Sequence, residues 1–227
     1  MLSINGDGSL AQLVERLPYT QNVGSSRLSR PTKSWMSGTG DNMLIAGNKN
    51  YGLGAALFKL FPSGEYISRS SGHDLTQRSK QDWFAEQCLH HDQIIICSAL
   101  HSFNQTVLLD IVYKVCVEKN HTPHIICIGS TTDRLSDGKP WLYNAEKKAL
   151  RDYCTTLALG GVWKDRPKIT YVSLGTMSNN QNKHPDRKCL DIDQAAEYIK
   201  WICLQPRNIN INEISIDPMQ DQRWHND

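Results

Sequence analysis

The chain has 227 residues and a formal net charge of +2 at neutral pH, which suits one domain with a full hydrophobic core. No run of lysine or arginine stands out, so a nucleic-acid-binding surface is not indicated. No apolar run approaches the length that spans a membrane. The N-terminus lacks the charged start and apolar core of a secretory signal, and we therefore expect a cytoplasmic protein.

The cysteines predict neither a metal site nor a disulfide framework. Their number is odd, no two form a Cys-x-x-Cys pair, and several lie inside apolar runs: Cys88, Cys97, Cys116, Cys127, Cys154, Cys189 and Cys203. The histidines also lack ligand spacing. We interpret the cysteines as reduced core residues of an intracellular protein and expect no metal ion.

Residues 1–42 differ in composition from the rest, since Gly, Ser, Asn, Arg and Thr dominate and no apolar period is present. Residues 8–31 resemble the peptides produced when a tRNA gene is translated by mistake, so the true start would be Met36 or Met43. The rival interpretations are a disordered tail and a transit peptide, although Asp7 and Glu15 fit a transit peptide poorly. We expect the folded domain to cover residues 43–218, with residues 219–227 as a C-terminal tail.

From Met43 onward, apolar runs and helical periods alternate. Strands are predicted at residues 43–46, 65–69, 92–98, 123–128, 168–173 and 213–217, and residues 73–76 stand in the place of a further strand. Helices are predicted at residues 55–60, 81–90, 102–119, 141–159 and 192–204. This alternation predicts an α/β fold that is doubly wound, with a mostly parallel sheet of six to seven strands and helices on both faces.

A glycine-rich turn joins the first strand to the first helix. Gly47, Gly52 and Gly54 lie within eight residues, between a buried strand and a helix-forming run. Such a turn points backbone N–H groups and a helix N-terminus at a phosphate. Ligands of doubly wound sheets bind beyond the carboxyl ends of the strands, where Gly47, Ser98, Ser130 and Gly175 fall.

Three side chains supply a candidate for proton transfer. Tyr143 and Lys147 are four residues apart on one predicted helix, so they share a face, and Ser130 ends a buried strand. The reference pKa of a phenol is about 10, and a neighbouring ammonium is expected to lower it. Together the three can move a proton to or from an alcohol or carbonyl oxygen while a hydride is transferred.

The glycine turn, Ser130 and the segment Tyr143-Asn-Ala-Glu-Lys147 together resemble the short-chain dehydrogenase/reductase family, over about residues 43–218. Residues 193–199 and 209–218 are similar to the last helix and strand of that family. The resemblance implies a Rossmann fold and a nicotinamide cofactor. It also implies Ser130, Tyr143 and Lys147 as catalytic residues, with Asn104 on the long helix in the place of the family's additional asparagine.

The same resemblance implies which residues bind the cofactor. They are the turn residues Gly47, Lys49, Asn50, Gly52, Leu53 and Gly54, then Arg69, Asp74 and Leu75 near the adenosine, and Ser98, Ala99, Lys147, Gly175 and Thr176 towards the nicotinamide. No acidic residue follows the second strand to accept the hydrogen bonds of the ribose 2′-hydroxyl. Arg69, assisted by Lys49, suits a 2′-phosphate instead. We therefore expect NADP(H), with NAD(H) as the alternative.

Four features depart from the family pattern. The glycine turn is one residue longer than usual between its first two glycines, and Ser98-Ala99-Leu100 replaces the usual Asn-Ala-Gly. The helix between the second and third strands is nearly absent. The loop after Gly175 is short, which leaves little room for a large substrate lid.

The expected function is an NAD(P)-dependent oxidoreductase that acts on a small-molecule alcohol or carbonyl. One rival is a non-catalytic NAD(P)-binding regulatory protein of the same fold, which the altered segment 98–100 favours. Another is a sugar-nucleotide epimerase, for which the short segment after Gly175 leaves little space. The resemblance implies a homodimer or homotetramer formed through the helices at residues 102–119 and 141–159, with no nucleic-acid or membrane partner.

Overall fold

The computed structural model describes residues 42–134, 141–160 and 165–219. Six strands form one sheet: β1 (Met43–Ala46), β2 (Glu65–Ile67), β3 (Gln93–Ile96), β4 (His124–Ile128), β5 (Lys168–Leu174) and β6 (Glu213–Ile216). Five helices alternate with them: α1 (Gly52–Leu60), α2 (Arg78–Cys88), α3 (Asn104–Glu118), α4 (Leu142–Gly160) and α5 (Ile192–Cys203).

All neighbouring strands of the sheet are parallel, in the order β2-β1-β3-β4-β5-β6. The chain runs outward from β1 to β2, returns to β3 on the other side of β1, and continues outward to β6. The order of the strands therefore reverses between β1 and β3, which is where ligands bind in doubly wound sheets. The predicted fold class is confirmed, with six strands.

The central strands are apolar at nearly every position because both faces of the sheet are covered. One face packs on α2, α3 and α4, and its core includes Ile94, Ile125 and Phe84. The other face packs on α1 and α5, and its core includes Ile95 and Ile126. Successive residues of β3 and β4 thus belong to opposite cores, as the period of a strand requires.

No strand forms at residues 73–76, which is a correction to the sequence-based expectation. Asp74 instead builds a local turn, in which its carboxylate accepts hydrogen bonds from the Thr76 amide at 3.1 Å and from the Thr76 hydroxyl at 2.8 Å. The Asp74 carbonyl accepts a further bond from the Gln77 amide. Because Asp side chains favour such turns over strands, the chain passes straight to α2, and β2 is the edge of the sheet.

The proposed extension at residues 1–42 lies outside the described residues except for Asn42, and the tail beyond Met219 lies outside them entirely. The Asn42 carbonyl accepts hydrogen bonds from the Asp92 and Gln93 amides at the start of β3. Among the helices that the structure describes, none is long and apolar enough to cross a membrane. The described parts of the chain also contain no cluster of side chains that could hold a metal ion.

Candidate active site

The carboxyl ends of β1, β3, β4 and β5 meet at one edge of the sheet, as the sequence predicted. Gly47 follows β1 and donates its amide to Ile67 O at 2.9 Å, which ties the glycine turn to the end of β2. Ser98 follows β3 and donates its hydroxyl to Ala46 O at 3.0 Å. These two hydrogen bonds therefore connect the ends of neighbouring strands where a ligand would bind.

A cavity of about 770 Å³ opens at the switch point between β1 and β3. Nine of the predicted cofactor residues line it, namely Gly47, Gly52, Leu53, Gly54, Arg69, Asp74, Leu75, Ser98 and Ala99. Asn48, Tyr51, Ser68, Ser70, His73, Cys97, Leu100, Met177 and Asn179 line it as well, and the sequence did not single these out. The described residues around the cavity do not include the predicted Lys49, Asn50, Lys147, Gly175 or Thr176.

The glycine turn is built around Asn48. The Asn48 side-chain oxygen accepts a hydrogen bond from the Asn50 amide at 2.9 Å, and the Asn48 backbone carbonyl accepts one from the Tyr51 amide at 3.1 Å. A Cβ on Gly54 would overlap the Asn48 backbone, so only glycine lets α1 approach the turn this closely. The Lys49 ammonium lies 5.8 Å from the ring centroid of Phe58 and thus points away from the cavity.

Arg69 lies at the outer end of the cavity, just beyond β2. Its side chain is 80% exposed, and its Nε lies 3.8 Å from an oxygen of Asp74. The hydroxyls of Ser68 and Ser70 hydrogen-bond each other at 2.8 Å beside it. One exposed cation and two hydroxyls at this point form a suitable environment for a phosphate group.

Ser130 is held in place by a buried network behind β4. The Tyr171 hydroxyl lies near the Ser130 backbone and donates to Asp133 Oδ2 at 2.8 Å. The Ser173 hydroxyl donates to the same oxygen at 3.2 Å. The Tyr171 ring lies directly against Gly129, where any Cβ would overlap it. Tyr171, Asp133 and Gly129 together therefore fix the backbone that presents Ser130.

The structure brings Ser130, Tyr143 and Lys147 together. The Ser130 side chain lies near the Tyr143 phenol, and the Lys147 ammonium lies 5.3 Å from the centroid of the Tyr143 ring. The rings of His101 and Trp141 lie 5.8 and 5.5 Å from that of Tyr143, measured between centroids. The predicted constellation of three side chains therefore exists at the carboxyl edge of the sheet.

The electrostatics of the pair differ from the sequence-based argument. Burial raises the pKa of Tyr143, the nearby Ser130 hydroxyl partly offsets this rise, and the charge of Glu146 adds to it. Burial lowers the pKa of Lys147 to about 8. The expected lowering of the phenol pKa by Lys147 is not found, because the ammonium faces the ring and donates its hydrogen bond elsewhere.

The acceptor of that bond is Gln105, whose Oε1 lies 2.6 Å from Lys147 Nζ. The Gln105 amide nitrogen donates to Ile96 O at 3.3 Å and to Ile128 O at 2.8 Å, so the side chain also bridges β3 and β4. The predicted Asn104 lies elsewhere, since it donates to His101 O and accepts a bond from Gln81. Gln105, rather than Asn104, contacts the candidate catalytic residues.

The remaining predicted residues lie at the end of β5. Gly175 is buried and donates its amide to Ile216 O at 2.9 Å. The Thr176 carbonyl accepts the Leu190 amide at 2.7 Å. The next turn crosses back towards the glycine turn, because the Asn179 side chain donates to the Tyr51 hydroxyl at 3.4 Å. Met177 and Asn179 of this segment line the cavity.

No protein-family model matches the sequence, and a search of curated proteins gives no match. Solved structures do match. A serine dehydrogenase in a closed form with NADP⁺ superposes with a TM-score of 0.58 at 15% identity, over 78% of this chain and 94% of that one. A short-chain dehydrogenase/reductase family protein gives a TM-score of 0.61 at 14% identity, over 78% and 95%.

The acetoin dehydrogenase of Enterobacter cloacae gives a TM-score of 0.60 at 13% identity, again over 78% of this chain and 94% of that one. The chain has the short-chain dehydrogenase/reductase fold. Within that fold, this chain has no secondary-structure unit between β2 and α2 other than a single 3₁₀ turn at Arg69–Ser71. The residues that bound the cavity beyond Arg69 therefore come from this turn and from the loop that carries His73 and Asp74.

Proposed function

We propose that the protein is an NAD(P)-dependent oxidoreductase that interconverts an alcohol and a carbonyl group. The observation that carries the proposal is the meeting of Ser130, Tyr143 and Lys147 at the same edge of the sheet as the cavity under the glycine turn. Each feature alone is common, but a phosphate-binding turn beside a hydroxyl, a phenol and a buried ammonium suits hydride chemistry specifically. The solved structures of the same fold include complexes with NADP⁺ and NADPH, which supports the choice of cofactor.

The residues of the cavity fit a dinucleotide. Gly54 lets α1 pack against the Asn48 backbone, and the first residues of α1, where the helix dipole favours negative charge, line the cavity and suit a diphosphate. When bound, the cofactor supplies or accepts the hydride. The chain itself supplies the cradle for the phosphates, and Met177 and Asn179 also line the cavity.

Proton transfer is assigned to Tyr143. Its raised pKa keeps the phenol protonated at neutral pH, so it can donate a proton to the oxygen of a carbonyl substrate. Ser130, whose hydroxyl lies near that phenol, orients the same substrate oxygen. Lys147 provides a buried positive charge beside the ring, which favours the phenolate that the donation leaves behind.

Cofactor preference is assigned to Arg69. We propose NADP(H) over NAD(H), because the exposed guanidinium and the hydroxyls of Ser68 and Ser70 suit a 2′-phosphate. The only carboxylate among the described residues that line the cavity belongs to Asp74, and the Thr76 amide and hydroxyl already donate to it. Lys49 adds no direct contact in this arrangement, since its ammonium lies against Phe58.

The test has two stages. Fluorescence titration of the purified protein with NADPH and NADH should show binding, with NADPH the tighter ligand. A panel of carbonyl compounds with NADPH should then show oxidation of the cofactor at 340 nm that depends on the substrate. A protein that binds NADPH but reduces no compound of a broad panel would favour the regulatory alternative, and a protein that binds neither cofactor would refute the proposal.

A further inference from the structure

The loop between β3 and α3 holds an unfavourable backbone conformation next to the candidate catalytic residues. Ser102 has φ 57° and Phe103 has φ 59°, so two consecutive residues other than glycine lie in the left-handed region. Such residues rarely adopt this region, and a pair persists only where the surroundings hold it. Phe103 directly precedes Asn104, the first residue of α3.

A buried carboxylate of α4 holds this loop. Glu146 is only 6% exposed, and its Oε1 accepts the Ser102 amide at 2.7 Å. Its Oε2 lies 3.8 Å from Nδ1 of His101, whose side chain is largely exposed. A buried carboxylate is costly unless it is hydrogen-bonded, so its position on α4 and the conformation of the loop stabilise each other.

The neighbouring residue of the same helix reaches the same element. Lys147 donates to Gln105, the second residue of α3, at 2.6 Å. Glu146 and Lys147 therefore hold the start of α3 at two points three residues apart, one before the helix begins and one just inside it. Gln105 in turn is fixed to β3 and β4 through Ile96 O and Ile128 O.

We propose that Glu146 is a positioning residue, which locks the Ser102–Phe103 turn so that Gln105 holds the Lys147 ammonium at the catalytic site. This proposal rests on the proposed function, because the role of Glu146 has an effect on activity only if Lys147 acts in cofactor binding and in turnover. Glu146 acts in it as a hydrogen-bond acceptor, so an uncharged side chain of the same shape should replace it. Glu146 acts through Gln105, so removing the Glu146 side chain should change kcat and NADPH binding little once the Gln105 side chain is absent.

The experiment compares Glu146→Gln, Glu146→Ala, Gln105→Ala and the double variant Glu146→Ala/Gln105→Ala. Asp152→Ala, at an exposed carboxylate on α4, is the matched control. We expect Glu146→Gln and Asp152→Ala to keep kcat and the NADPH dissociation constant within about threefold of wild type. Glu146→Ala and Gln105→Ala should each lower kcat by about tenfold and weaken NADPH binding, with a smaller change in the KM of the carbonyl substrate.

The double variant decides between positioning and an independent effect. We expect it to fall within about twofold of Gln105→Ala, because both substitutions act through the place of Lys147. Effects that multiply to about one-hundredfold would overturn the proposal, as would a fully active Glu146→Ala. A Glu146→Gln variant as impaired as Glu146→Ala would also overturn it.

A readout that needs neither cofactor nor substrate separates this proposal from the proposed function. Amide hydrogen exchange over residues 101–106 should accelerate in Glu146→Ala and remain at the wild-type rate in Glu146→Gln. An unchanged rate of amide hydrogen exchange in Glu146→Ala would overturn the positioning role of Glu146 even in an active enzyme. Accelerated exchange in Glu146→Ala, in a protein that binds no NADPH, would support the positioning role of Glu146 and would refute only the proposed function.

Discussion

Replacing Tyr171 by phenylalanine tests the network that presents Ser130. The substitution removes one hydroxyl from a fully buried ring and leaves the ring itself in place against Gly129. That hydroxyl donates to Asp133 at 2.8 Å and lies near the Ser130 backbone. The side chain of Asp133 is wholly buried, and its Oδ1 has no hydrogen-bond partner among the described residues.

The expected loss follows from the chemistry of the acceptor. A hydrogen bond to a carboxylate contributes about 1.5–3 kcal/mol, and Asp133 would keep the longer bond from Ser173 at 3.2 Å and the ion pair with Arg134 at 3.7 Å. We expect Tyr171→Phe to lower the free energy of unfolding by about 2 kcal/mol. For a domain of this size, that corresponds to a fall of about 4–8 °C in Tm.

Urea unfolding followed by tryptophan fluorescence measures the change, and Tyr113→Phe is the matched control. Tyr113 is a buried tyrosine of α3 whose hydroxyl has no hydrogen bond to another described residue, so its loss should cost much less. A Tyr171→Phe variant within a few tenths of a kcal/mol of wild type, roughly the scatter of neutral substitutions, would refute the role of the network. Equal losses in the two variants would refute it as well.

Three further predictions concern the cofactor and the N-terminus. Arg69→Ala should weaken NADPH binding by about tenfold, or about 1.4 kcal/mol, and leave NADH binding unchanged. Arg78 lies outside the cavity and is paired with Asp82, so Arg78→Ala should change the binding of neither cofactor. Because burial lowers the pKa of Lys147 to about 8, its ammonium is present below that pH and lost above it. The affinity for NADPH should therefore be constant from pH 6.5 to 7.5 and fall above about pH 8. A Lys147→Met variant that shows the same fall would contradict this assignment. A chain that starts at Met36 should melt within about 2 °C of the full chain, a shift that corresponds to less than 1 kcal/mol, and a loss of several degrees would show that residues 1–35 contribute to stability.

The fold could be predicted from the sequence because its signals are strong and local. Continuous apolar runs such as residues 94–96 and 125–128 mark strands that are buried on both faces. The segment at residues 73–76 was the error. These four residues were given the place of a further strand after the second strand, but the Asp74 side chain satisfies the local backbone and ends any extended run.

The candidate site could be predicted in part. Ser130, Tyr143 and Lys147 follow from residue type and spacing on one helix and one strand end. Gln105 was missed although a signal existed, since it is a polar residue at helical spacing from the buried Leu108, Leu109 and Val112. Asp133 carried no comparable signal, because its partner Tyr171 lies 38 residues away in the sequence.

The electrostatics could not be predicted from the sequence, because the direction of a pKa shift depends on burial and on which atoms meet. Spacing alone placed the Lys147 ammonium beside the Tyr143 oxygen. In the structure, the ammonium faces the ring and donates to Gln105, while burial dominates the pKa of both groups.

The most direct test of the proposed function is the turnover number of Tyr143→Phe, once a substrate is known. The variant keeps the ring between His101 and Trp141 and leaves the glycine turn untouched, so it should fold and bind NADPH as wild type does. Loss of the proton donor should lower kcat by roughly 10²–10⁴-fold, the contribution of general acid–base catalysis. A Tyr143→Phe variant with the kcat of wild type would contradict the mechanism.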